Sequence, residues 1–392
     1  MIRVLSSKSK KGFLRLLKIY KFYIITIGLL AGLSLHSCSL PYYTSAGYHQ
    51  ARLLLSRKSI DSALKEEKLD LDLKNKLELT LIAREYADKI GLKPGKTFLT
   101  FATKSDIPKS WLVIAAKSLK LEVYEWKFPI VGSLPYKGFF SPEEAETEKI
   151  KLEKEGYDTT IRTSAAYSTL GWFDDPIMPS TLSLDHLALF NTVVHEIVHT
   201  SFWIKGQVAF NETMANAVGF LATATYFKSK ETLPELINNI SSDFNPIIAI
   251  KNLVRECELS KEFSKTKIKL DETFNTDISD EEKLAIKNKV YIELENKILE
   301  LYDHKKTKSD GNINNASFLA QYTYLQDFEL FLLLFKEKGS ISEMIKALES
   351  ISKEPETETS PFNVLRSRIE NTEDEINCKT LIMHDNAIEH DL

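Results

Sequence analysis

Cysteine is scarce: Cys38, Cys257 and Cys378 are the only three in 392 residues. That is too few for a disulfide framework in a chain this long, and Cys257 and Cys378 are expected to be unpaired. A surplus of positive charge is missing from the body. The formal net charge is −4, and residues 1–37 carry seven Lys and Arg and no acid, leaving −11 for the remainder. A body so acidic is a poor match for a phosphate backbone, so no nucleic-acid partner is expected. The apolar run near the start, Phe22 to Leu35, has fourteen residues, short of the roughly 20 a permanent bilayer helix needs. No internal repeat is found. What remains is 43% hydrophobic residues, enough to bury a sizeable core and to exclude disorder of the whole chain.

The basic stretch, the short apolar run and Leu35-His36-Ser37-Cys38 follow one another directly, which is the layout of an export signal. A leucine three before the cysteine and a small serine just before it are similar to a bacterial lipobox, in which Cys38 is lipidated and becomes the first mature residue. His36 stands where that pattern favours a small residue. An uncleaved anchor or a plain signal peptide are the alternatives, and all three put the body outside the cytoplasm. Residues 1–37 are thus read as signal, 38–352 as one folded domain, and the polar, acidic tail 353–392 as poorly ordered.

Within the domain, apolar residues from Tyr42 to Ile90 recur at helical spacing, predicting packing helices over 38–95. Beyond the Gly91–Gly95 break, Trp111–Ala116, Leu121–Trp126, Phe128–Gly132 and Tyr136–Phe140 are β-rich or aromatic. A small sheet is predicted over 96–180, with a short helix from Pro142 capped by Ser141 and a strand at Asp158–Thr163. Two further helices fill 184–230. Mostly charged helices follow over 231–352, with breaks at Pro234 and Pro246 and two packed helices around Gly339.

One of the helices in 184–230 carries His195-Glu196-Ile197-Val198-His199. On a helix the four-residue offset stacks both imidazoles on one face, where two ring nitrogens can share one Zn²⁺. Glu196 is then placed as the base on water. The bland alternative is two satisfied core histidines, and a third ligand decides between them. A histidine six residues on is absent, since Lys205 stands there. Asn211-Glu212-Thr213-Met214-Ala215 instead supplies Glu212, and Glu212, Ala215, Gly219 and Ala222 share one face. Small residues there let the second helix come close to the first. His195, His199 and Glu212 make a His₂Glu set with an open fourth position. Asn216, Asp174 and Asp175 are candidates to hold the histidine N–H groups.

These residues resemble the putative aminopeptidase family of bacterial lipoproteins, of the gluzincin type. The resemblance runs from Cys38 to about Ser352 and takes in Tyr42-Tyr43, Phe128–Gly132, Tyr136–Phe140, Ala166–Pro176, the zinc helix, Lys205-Gly206, Ala209–Glu212, Asn314-Asn315-Ala316 and Tyr324. It implies an α+β fold, mainly helical and zincin-like, with a small mixed β-sheet whose edge strand, Thr169-Leu170-Gly171-Trp172, flanks the active-site helix and pairs with a peptide substrate. It implies one Zn²⁺ per chain, Glu196 as catalytic base, and Tyr324 or Tyr167 as the donor to the developing oxyanion. A lipid anchor at Cys38 in the bacterial cell envelope completes the picture. The G-x-M-E-N segment that holds the substrate amine in well-known gluzincin aminopeptidases is absent, so aminopeptidase and endopeptidase modes both stay open. A non-catalytic scaffold on the same fold is the rival, and the intact Glu196 favours the enzyme.

Overall fold

The computed structural model describes residues 55–103, 110–128, 132–164, 175–228, 246–302, 313–354, 359–369 and 377–379, preceded by Tyr48, Arg52 and Leu53. The export segment, Cys38 and Tyr42-Tyr43 lie outside the described residues. Arg57–Ser59 (β1) pairs antiparallel with Thr100–Ala102 (β2). This corrects the reading of Tyr42–Ile90 as helix throughout. The strand gains its backbone partners only when the chain returns past the Gly91–Gly95 break, a long-range event that local periodicity does not report. Ile60–Ala63 (α1) follows at once, capped by Ser59. Leu71–Lys89 (α2) is capped by Asp70, whose carboxylate accepts the Leu73 N–H at 3.0 Å. Gly91, at φ +101°, turns the chain after it.

The sheet region resolves into separate antiparallel pairings. Ser110–Lys117 (β3) is central, with Lys137–Phe139 (β6) on one side and Tyr157–Ser164 (β7) on the other, while Trp126–Phe128 (β4) pairs with Gly132–Leu134 (β5). The named strands pair antiparallel and a parallel bridge joins Phe101 of β2 to Ile177, so in place of one small sheet the described residues form three. Three residues separate β4 from β5, whereas Pro142–Lys154 (α3) links β6 to β7, the two strands that flank β3. Ser141 caps α3 as expected, its hydroxyl accepting the Glu144 N–H at 3.2 Å.

Helices then dominate, and the described chain is mostly helical with small sheets. They are Pro179–Leu182 (α4), His186–Ser201 (α5), Val208–Lys228 (α6), Pro246–Asn275 (α7), Asp280–Leu301 (α8), Asn315–Tyr322 (α9), Phe328–Lys338 (α10), Ile341–Ser352 (α11) and Pro361–Ser367 (α12). Almost every residue of α6 from Phe210 to Phe227 is buried, as befits a helix apolar all round. It runs through a core shared with α2, α5, α7 and α10 to α12. A second cluster joins Leu259 and Phe263 of α7, Val290, Tyr291 and Leu294 of α8, and Phe318 and Tyr322 of α9.

The tail reading also needs correction. Phe362, Leu365 and Ile369 enter the main core, the first two from one face of α12 and the third from just past its end, behind the acidic stretch. Cys378 is bonded to Cys257 of α7, with Cα atoms 5.9 Å apart and 121 residues between them in sequence. The two cysteines are therefore not unpaired. Packing of the tail onto α7 brought together positions that sequence distance kept apart. Among the described residues no helix is long and apolar enough to cross a membrane.

Candidate metal centre and its cleft

Asp185 starts α5 by accepting the Ala188 N–H at 2.9 Å, an N-cap worth about 1 kcal/mol. Leu189, Phe190, Val193, Val194, Ile197 and Val198 are wholly buried, which fixes the rotation of the helix and sends His195 and His199 toward α6. The chain leaves α5 at Phe202 in extended conformation and turns at Gly206, φ +75°. The buried Asn211 amide clamps this turn: its oxygen accepts the Ile204 N–H at 3.0 Å and its nitrogen donates to the Ile204 carbonyl at 2.8 Å. Glu212 is the next residue, so the clamp also sets where the carboxylate arrives.

The two helices meet at Gly219. A Cβ there would lie 2.6 Å from Asn191 Oδ1 and 3.2 Å from the Asn191 carbonyl oxygen. Ala215 and Ala222 on the same face are fully buried. The small face predicted from sequence is therefore the surface of close approach.

His195, His199 and Glu212 each offer one ligand atom, all within 4.8 Å of one another. His195 Nε2 and His199 Nε2 are 3.1 Å apart, and Glu212 Oε2 is 3.4 Å from each. Two ligands about 2.1 Å from a tetrahedral metal stand about 3.4 Å apart. The three atoms thus form one face of such a tetrahedron, and the donor set fits Zn²⁺. Burial opposes the Glu212 charge, but the two imidazoles hold its carboxyl far below the usual carboxylate range. Burial likewise opposes the charged form of His199, yet Glu212 and Glu196 raise its proton affinity. Among the described residues, buried Glu196 Oε2 and His199 Nδ1 have no hydrogen-bond partner. The Trp203 ring lies across His199, centroids 5.5 Å apart.

Beside the cluster opens a cavity of about 620 Å³, bordered by His195, Glu196, Tyr324, Arg162, Glu256 and Tyr302 among others. The Tyr324 ring is 6.1 Å from that of His195. Its backbone is tied at three successive carbonyls: Thr213 Oγ1 donates to Thr323 at 3.2 Å, Asn216 Nδ2 to Tyr324 at 3.0 Å, and Ser260 Oγ to Leu325 at 2.6 Å. Burial, then the Glu212 and Glu196 carboxylates, push the Tyr324 phenol well above its ordinary value, so it stays protonated. Upstream, Asn314 caps α9 and the buried Asn315 amide donates to the Lys117 and Ser118 carbonyls. These bonds tie α9, and the tyrosine after it, to β3.

Of the residues predicted from sequence, the structure brings together His195, Glu196, His199, Glu212 and Tyr324. Asn216 lines the same cavity but holds neither histidine; its amide nitrogen goes to Glu256 and the Tyr324 carbonyl. The reason is that α7 and the segment after α9 lie nearest that point of α6. Asp175 is buried beside β2, where its carbonyl accepts the Phe98 N–H at 2.8 Å, and it is not part of the metal cluster. Tyr167, Thr169, Leu170, Gly171, Trp172 and Asp174 lie outside the described residues. The sequence reading missed Arg162, whose guanidinium donates to Gln321 Oε1 and the Ser317 carbonyl, and also Asn211 and Glu256. Asn211 sits in the quoted motif and could have been suspected. Nothing local marks Glu256 among the many acids of α7.

Comparison with curated proteins and with solved structures finds no match. A family model described as "putative aminopeptidase" matches residues 41–361, a span that takes in both helices of the cluster, the small sheet, Tyr324 and Glu256. On that match, which covers most of the chain, the protein belongs to the putative aminopeptidase family, and its general role is that of a peptidase.

Proposed function

We propose that this chain is a zinc-dependent peptidase of gluzincin type, with His195, His199 and Glu212 holding one Zn²⁺ and Glu196 acting as general base. The observation that carries the reading is the triangle of ligand atoms, with edges of 3.1, 3.4 and 3.4 Å, matching the face of a tetrahedral zinc site. Bound there, zinc supplies a Lewis acid that polarises a carbonyl and makes water a better nucleophile near neutral pH. Glu196 is one residue on from His195 along α5, and its free buried oxygen borders the cavity. That oxygen accepts a proton from the attacking water and returns it to the leaving amine. The Tyr324 hydroxyl, kept protonated, donates to the carbonyl oxygen as negative charge gathers on it. The three backbone ties on residues 323–325 keep that donor in place without reorganisation.

The compartment belongs to the same proposal. The N-terminal layout supports export with a lipid on Cys38, which would anchor the peptidase to a membrane of the cell envelope. The Cys257–Cys378 bond suits an oxidising compartment.

The experiment uses the full chain in detergent. Bound zinc is measured, and aminoacyl-fluorophores and internally quenched peptides are assayed beside Glu196→Gln. One zinc per chain is expected, with turnover that the variant loses. Absence of stoichiometric zinc overturns the site, and zinc without turnover of either substrate class overturns the enzyme in favour of a scaffold.

A further inference from the structure

We propose that Glu256 receives the free α-ammonium of the substrate, so that the cavity is built to work from the amino end of a peptide. This rests on the peptidase reading above and adds the group that selects the substrate. Glu256 sits on α7 and borders the cavity that also holds His195, Glu196 and Tyr324. It is 9% exposed, and its one hydrogen-bond partner is the Asn216 amide, 2.9 Å from Oε1. Among the described residues it makes no ion pair. Its neighbour Arg255 is turned elsewhere: Nε donates to the Leu301 carbonyl at 3.1 Å, a terminal nitrogen donates to Asn252 Oδ1 at 3.0 Å, and the guanidinium lies 4.6 Å over the Tyr302 ring. A buried carboxylate is costly without a cation. One that borders a cavity and is matched by a single amide is a place where a ligand can bring that cation.

The spacing suits the amine of a terminal residue. Asn216 lies one helical turn beyond Glu212 on α6, about 5–6 Å along it, and its amide is what holds the Glu256 carboxylate. In a peptide, the terminal nitrogen is about 2.5 Å from the carbonyl carbon of its own residue. A charge-assisted hydrogen bond adds about 2.8 Å. An ammonium on Glu256 therefore sets the first peptide carbonyl roughly one helical turn away, beside the metal cluster. Leu187, Phe220 and Ala249 also border the cavity, leaving apolar wall for the side chain of that residue. An internal peptide bond would bring no cation and would leave Glu256 buried against an uncharged backbone.

The test uses the full chain in detergent carrying Glu196→Gln, so that probes are not turned over. L-leucinamide and N-acetyl-L-leucinamide are titrated calorimetrically, with and without added zinc. The free amine is expected to bind about tenfold to a hundredfold more tightly than the acetylated probe. Adding Glu256→Gln, which keeps an oxygen for the Asn216 amide, is expected to erase that preference while zinc content stays unchanged. In otherwise unsubstituted enzyme, Glu256→Gln is expected to raise KM for free-amine substrates far more than it lowers kcat. Equal binding of the two probes, or a preference that survives Glu256→Gln, overturns the assignment even if the variant is fragile, because the first comparison needs no substitution at Glu256. Failure of the wild-type chain to bind zinc overturns the metallopeptidase reading instead, and the metal-free titrations still decide the role of Glu256.

Discussion

Glu212 and Glu256 are carboxylates on packed helices, and both border or complete the same cleft, yet their surroundings differ. Glu212 sits 3.4 Å from each of two imidazole nitrogens, and its charge is favoured. Glu256 meets one neutral amide, and burial, opposed by that amide and by Arg255, raises its carboxyl above the ordinary range. The difference teaches that burial alone does not set a carboxylate's charge: two imidazoles favour it at Glu212, and a single neutral amide does not at Glu256.

The largest expected effect lies at the metal end. Glu196→Gln should lower kcat by about 10²- to 10⁴-fold and keep one zinc per chain; loss of zinc along with activity would make Glu196 structural. Next comes the bond that ties α7 to the tail beside Glu256. Cys257→Ser with Cys378→Ser should cost about 2–5 kcal/mol, since the bond closes a long loop, as read from a denaturant titration. Zinc content should survive, because neither cysteine touches the cluster. Should zinc be lost instead, the two ends of the cleft are not separable.

Gly219→Ala tests the approach of α6 to α5. Its Cβ meets the Asn191 backbone oxygen at 3.2 Å, so we expect about 1–3 kcal/mol of destabilisation and weaker zinc binding, measurable by melting and by competition with a chelator. An unchanged zinc affinity would show that the helix spacing does not set the metal site. The gentlest test is of pH. The folded-state affinity of Glu256 for its proton is raised, so its contribution to stability is present at low pH and is lost as pH rises through the folded value. Glu256→Gln should therefore flatten the fall in melting temperature as pH rises above the ordinary carboxylate range, relative to wild type. A wild type whose stability does not depend on pH in that window, or a variant that follows wild type, would remove Glu256 from the account.

The metal cluster was legible because its parts are local. His195 and His199 are one turn apart on a single helix, and Glu212 follows after one short turn, with Ala215, Gly219 and Ala222 marking the face that must pack. Asn216 was legible as a polar residue on that face but its partner was not, since α7 and the Tyr324 segment reach it from far along the chain. Tyr324 was recognisable by resemblance; the hydrogen bonds from Thr213, Asn216 and Ser260 that hold it come from two different helices. The small sheet shows the same divide. Strand β7 and helix α3 follow from alternation and capping, whereas β1 pairing with β2 and the parallel bridge from Phe101 to Ile177 depend on where the chain returns.

By itself the sequence determined that His195, Glu196, His199 and Glu212 come together, which helices carry them and which apolar faces bury those helices. Helical periodicity and a short connecting turn leave such residues almost no freedom relative to one another. Only the tertiary structure decided that Cys257 meets Cys378, that part of the tail is core, and that a glutamate 44 positions after Glu212 borders the same cleft. Those outcomes depend on which buried surfaces meet when the whole chain packs, and no local pattern carries that information.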